Sequence, residues 1–109
     1  MIIREKISRE ELENFFDSSF EAMLKIVVDI EKKILSLGCE FHIDCAEELA
    51  NDGSLSKNLW GANLYRKNLD MDFVSLINIK PAKNNKSTEI QNEALRKNVE
   101  EIIKNLLCY

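Results

Sequence analysis

The stretch FEAMLKIVVDIEKKILSL, residues 20–37, decides the fold because it supports two incompatible readings. Phe20, Met23, Val27, Ile30, Ile34 and Leu37 recur every three or four residues, like the apolar stripe of one long helix. Leu24, Ile26, Val28 and Ile30 alternate with a period of two, like a strand with one buried face. Two features favour the strand. Ile26-Val27-Val28 is a β-branched run, and such side chains lose rotamer freedom in a helix but pack well on a pleated surface. Glu31-Lys32-Lys33 then breaks the apolar pattern before Ile34-Leu35 resumes, which suits a hairpin tip.

Upstream, Ser8-Arg9-Glu10-Glu11 has the form of a capping box and predicts a helix carrying Leu12, Phe15 and Phe16 on one side. Downstream, Cys39 to Asp44 continues as an extended stretch, and Ala46 to Ala50 reads as a short helix capped by Asp44. Leu59 to Tyr65 and Asp72 to Lys80 read as a second hairpin, closed by Pro81. Lys80 to Gln91 lacks apolar periodicity. Asn92 then caps a final helix with Leu95, Val99, Ile102, Ile103 and Leu106 on one face. The expected fold is α+β: a mostly antiparallel sheet of two hairpins, with N-terminal and C-terminal helices packed on one face.

The 109 residues match the common size of one domain, so residues 1–109 are read as a single α+β domain. A formal charge of −4 disfavours a surface built to hold phosphate backbones, so a nucleic-acid partner is not expected. The opening MIIREKISREE is charged, and nowhere does an apolar run approach the roughly 20 residues that span a bilayer. A cytoplasmic protein without a membrane partner is expected. Its three cysteines, an odd number, are then read as reduced thiols.

CEFHIDC, residues 39–45, places the chain's only histidine between two cysteines. All three are legitimate zinc ligands, but on a strand Cys39 and His42 point to opposite sides, so neither a metal nor another cofactor is expected. The cysteines are instead read as small buried hydrophobes. Strand spacing puts His42 and Asp44 on one face, and a carboxylate beside an imidazole raises its basicity, so these two are the candidate catalytic pair. Asn63 and Asn78 sit among apolar neighbours in expected strands, where asparagine is depleted. Each satisfies backbone groups, faces water, or joins Lys80 in a polar cleft. The loop from Lys80 to Thr88 adds Lys83, Asn85, Lys86 and Ser87, groups of the kind that hold an anionic or phosphate-bearing ligand. It is not a P-loop, and a solvated connector explains it as well. Trp60 and Tyr65, either side of Gly61, are read as core or as stacking surfaces, with Gly61 open to the close approach of a ligand.

Leu59 to Tyr65 (LWGANLY), Ser75 to Pro81 (SLINIKP) and Asn85-Lys86-Ser87 resemble a small prokaryotic family known as a domain of unknown function. The likeness runs over most of the chain, including Phe41 to Asp44. Lys80 and Asn84 stand where that family is expected to favour Arg and Gly, and Cys39 and Cys45 are not expected to be required. The resemblance implies a shared fold and carries no activity. The leading expectation is a binding or protein-interaction module, forming a homodimer because a short open sheet leaves an edge or face to cover. The alternatives are a small hydrolase or nuclease-like enzyme using His42 and Asp44, with Lys80 and Asn78 steadying an anionic substrate, and a nucleic-acid-linked regulator.

Overall fold

The computed structural model describes residues 1–19 and 22–107. In chain order these residues form β1 (Ile2–Ile3), α1 (Arg9–Asp17), β2 (Met23–Asp29), β3 (Ile34–Leu37), α2 (His42–Asn51), β4 (Leu59–Tyr65), β5 (Met71–Asp72) and α3 (Glu93–Leu106). The strands make one antiparallel sheet in the order β1-β3-β2-β4-β5. This is the α+β architecture expected from the sequence.

The stretch from Met23 to Leu37 is the hairpin. Ile26 pairs with Leu37 and Asp29 with Ile34, and the tip closes on Asp29, whose Oδ1 accepts the amides of Glu31 (2.9 Å) and Lys32 (3.0 Å). Lys33 completes the turn in the left-handed region, φ 57°. Phe20, which opened the helical alternative, lies outside the described residues, as does Cys108.

Because strand side chains alternate, each strand feeds two layers. Leu24, Ile26, Val28, Leu35, Leu37, Trp60, Ala62 and Leu64 face α1 and α3 and pack with Leu12, Phe16, Val99, Ile102 and Ile103 into the larger core. Both helices start on the expected caps. The Ser8 hydroxyl accepts from the Glu11 amide at 3.1 Å while the Glu11 carboxylate accepts from the Ser8 amide at 3.3 Å, and Asn92 Oδ1 accepts from the Leu95 amide at 2.9 Å. On the opposite face Val27, Ile34 and Leu59 pack against Cys45, Ala46 and Leu49 of α2.

Four expectations are corrected. Residues 39–44 are not extended throughout, since α2 begins at His42 with Phe41 in the N-cap position, and Asp44 lies inside the helix rather than capping it. Cys39 and Cys45 are joined in a disulfide, and are not separate reduced thiols. A helical turn brings residues six apart close enough to bridge, which a pleated strand would not. The strand from Asp72 to Lys80 is only β5, Met71–Asp72. Beyond it the chain leaves the ladder and makes a 3-10 turn at Leu76–Asn78. Finally, residues 80–91 are organised: Pro81–Lys83 form a 3-10 turn, and Lys80 bridges Asn85.

Two side chains explain the third and fourth corrections. The Asn78 amide, fully buried, accepts from the Gly61 N–H at 2.7 Å and donates to the Gly61 carbonyl at 3.0 Å. It thereby occupies the place of a neighbouring strand's peptide group. Its Nδ2 also faces the carbonyls of Phe73 (3.1 Å) and Thr88 (3.0 Å). Asn85 repeats the device, donating to the carbonyls of Asn78, Ser87 and Glu89 and accepting from the Gln91 amide at 2.8 Å. Buried backbone groups need partners, and here two asparagines supply them where a ladder does not.

Candidate functional site

The α2 face is only partly covered by its helix, and the uncovered part carries polar side chains. Pairing sets Lys25 opposite Asn63, and Asn63 opposite Asp72, so three strands present a polar row. Asn63 Nδ2 donates to Asp72 Oδ1 at 2.7 Å and to the Val74 carbonyl at 3.0 Å. The Tyr65 hydroxyl donates to Asp72 Oδ2 at 2.6 Å, and the carboxylate holds that phenol above its usual pKa.

Over this row stands His42, at the first helical position of α2. Its Nε2 lies 2.9 Å from the Ala62 carbonyl, which can only accept, so Nε2 carries the hydrogen and the neutral ring keeps its lone pair on Nδ1. Burial pushes the imidazole below its ordinary pKa. The Ala62 carbonyl and Asn63 oppose that shift, Lys25 adds to it, and Asp72 weakly offsets it. His42 is therefore a neutral imidazole at pH 7.

Gly61 makes the arrangement possible. A methyl group added there would lie 2.7 Å from Ser75 Oγ and 3.3 Å from His42 Cδ2, so the missing side chain lets both Ser75 and His42 come down close to the β4 backbone. The sequence reading left Gly61 open for a ligand, and the molecule uses it for two of its own side chains. Ser75 is buried, and its hydroxyl accepts from the Ile77 amide at 3.3 Å.

Phe41, Ile43, Tyr65, Val74, Leu76 and Ile79 are exposed, Leu76 to 78% and Ile43 to 53%. They lie on the start of α2, the end of β4, and residues 74–79, whose Ile77 packs under α2. Lys25 Nζ donates to the Glu40 carbonyl at 2.8 Å and sits 5.4 Å from the centre of the Phe41 ring, holding the aromatic at the margin.

The remaining sequence candidates divide. His42 and Asn63 are brought together. Asp44 is not placed to orient His42, because residues two apart on a helix point about 200° apart, and Lys25 and Asp72 are the charges that reach the ring. Lys80 stands elsewhere: its Nζ donates to the Ile77 carbonyl at 2.9 Å and lies 5.2 Å from the centre of the Trp60 ring. Trp60 adjoins Gly61 and points to the opposite face, so Lys80 and His42 do not share a pocket. Asn78 and Asn85 spend their amides on the backbone. Lys83 and Lys86 are exposed, Ser87 Oγ accepts from the Glu89 amide at 3.1 Å, and Lys83 borders a cavity of about 410 Å³ with Trp60, Asn84 and Asn92. Lys25, Asp72 and Ser75 escaped the sequence reading. Only the period-two alternation carrying Lys25 onto the Val27 face was there to find the first.

Among the described residues no group of three or more His, Cys, Asp or Glu side chains is arranged to hold a metal ion, and no helix is long and apolar enough to cross a membrane. The fold and site define an α+β protein with a histidine-centred polar cluster inside an apolar rim. The chain belongs to the family described as Protein of unknown function (DUF5674), whose model matches residues 1–106. No curated protein and no solved structure matches it.

Proposed function

We propose that this chain is a single-domain protein-interaction module that docks through the apolar rim around His42, and that its first partner is a second copy of itself. The observation that carries this reading is that Phe41, Ile43, Tyr65, Val74, Leu76 and Ile79 stay exposed on the segments that flank or pack against the start of α2 and β4, with aromatic groups among them. Clustered exposed apolar side chains with a polar centre are the usual composition of a docking surface. A two-fold pairing of such a patch with itself closes the assembly. The sheet edges are poorer docking sites, since β1 and β5 are two residues each. The prokaryotic setting implied by the resemblance, and the cytoplasmic one expected from the charged N-terminus, belong to this proposal. Sedimentation velocity over a roughly hundredfold concentration range tests it, with mass rising above 12.6 kDa for the native chain and not for Leu76→Asp. A native chain that stays monomeric throughout contradicts it.

A second reading, a small hydrolase, is favoured by one observation: Ser75 and His42 both border Gly61, with Lys25 and Asp72 near the ring. In it His42 is the base, Ser75 the nucleophile, and the Ala62 carbonyl takes the orienting role first given to Asp44. Turnover of an activated ester, lost in Ser75→Ala and His42→Asn alike, supports it. Equal rates in all three chains remove it. Lys83, Lys86 and Ser87 remain proposed contacts for an anionic ligand, testable by phosphate-matrix retention that weakens with salt.

A further inference from the structure

We propose that the Cys39–Cys45 bridge is a reversible thiol–disulfide switch that sets the first turn of α2. The N-cap of α2 is Phe41, and no side chain caps its amides, whereas α1 and α3 are secured by Ser8 and Asn92. The bridge anchors covalently the turn that no side chain caps. It ties the segment after β3 to the fourth residue of α2, closing a loop that contains Phe41, His42 and Ile43. The two sulfurs are unequally placed. Cys45 is fully buried among Val27, Ile34, Leu49 and Leu59, while Cys39 is half-buried and lines a cleft of about 630 Å³. A small thiol reaches Cys39 first.

The exchange balances as follows. A thiolate of the glutathione type attacks Cys39 Sγ, and the sulfur–sulfur bond breaks with its electron pair passing to Cys45 Sγ, which takes a proton. A second thiolate attacks the small-molecule sulfur of the mixed disulfide and releases Cys39 as a thiolate. Two electrons have moved from two small thiols, which leave as their own disulfide. In a reducing compartment a persistent bridge is rare, and one reached through an open cleft is suited to sensing. The consequence for the rim rests on the interaction reading above; the conformational consequence does not.

The test uses the full chain with Cys108→Ser, so that two thiols remain. It is equilibrated in oxidised or reduced glutathione buffers, alkylated to score the bridge, and followed by amide hydrogen exchange. We expect the bridge to open in the reducing buffer and exchange across residues 39–46 to rise by roughly tenfold or more, with β2 and β4 unchanged. Cys39→Ser should reproduce the reduced pattern. A bridge that stays closed in reducing glutathione overturns the proposal, as does exchange at 39–46 within about twofold in both states. Loss of protection in β2 and β4 also overturns it, because the bridge is then a staple of the whole fold. A chain that switches as expected yet never self-associates leaves the switch standing and removes the interaction reading instead.

Discussion

The two faces of the sheet are built on different principles. The α1/α3 face is filled by apolar side chains from four strands and two helices, and its energetics are those of volume and contact. The α2 face has a small apolar patch under the helix and, beside it, Lys25, Asn63, Asp72 and His42, held in place by directional bonds to one another or to backbone carbonyls. One face holds the fold together. The other keeps polar groups and exposed apolar rim residues that folding alone does not require.

Substitutions can break or sharpen that contrast. The largest effect is expected for Ile103→Ala on the α1/α3 face, where a fully buried side chain would leave a cavity costing about 4 kcal/mol in urea unfolding. Asn78→Ala should cost about 3 kcal/mol, because it strands the buried Gly61 amide and frees residues 73–91 from β4. A loss under about 1 kcal/mol would mean the asparagine is not standing in for a strand. Gly61→Ala is expected to cost about 2 kcal/mol by driving Ser75 and His42 apart, with the damage confined to the α2 face in hydrogen exchange.

The pH response should be smaller and specific to His42. Its folded pKa lies below the unfolded value of 6.5, so the unfolded chain binds the proton more readily. The contribution is fully present above that unfolded value and is lost as pH falls through it toward the folded one. His42→Asn should flatten this part of the stability profile. Least of all for stability, Leu76→Asp should stay within about 0.5 kcal/mol of the native chain, since its side chain is exposed.

What was legible in the sequence follows from these principles. Period-two alternation in 24–30, the Ser8 box and the Asn92 cap report local geometry, and all three elements formed where the pattern placed them. CEFHIDC misled because its extended reading rested on proximity to a strand, whereas a disulfide and a bond from His42 to Ala62 hold a helix start there without a capping side chain. Asn78 looked like an oddity in a strand because its partner is a peptide group 17 residues away, which no local pattern displays. Residues 73–79 are rich in β-branched and aromatic side chains, yet they serve a side-chain substitute for the ladder and leave Val74, Leu76 and Ile79 exposed. His42 drew attention as the one histidine and Asn63 as an asparagine in an apolar strand, and the parity that paired His42 with Asp44 failed because α2 begins at His42. Ser75 needed the third dimension.

The central claim is that the rim around His42 is a docking surface for a second copy, and the most direct measurement is an amide chemical-shift dilution series on the ¹⁵N-labelled native chain. The account predicts concentration-dependent shifts at residues 41–43 and 74–79, none on the outer faces of α1 and α3, and their disappearance in Leu76→Asp. Shifts confined to β1 or β5, or no shifts at any concentration, would contradict it.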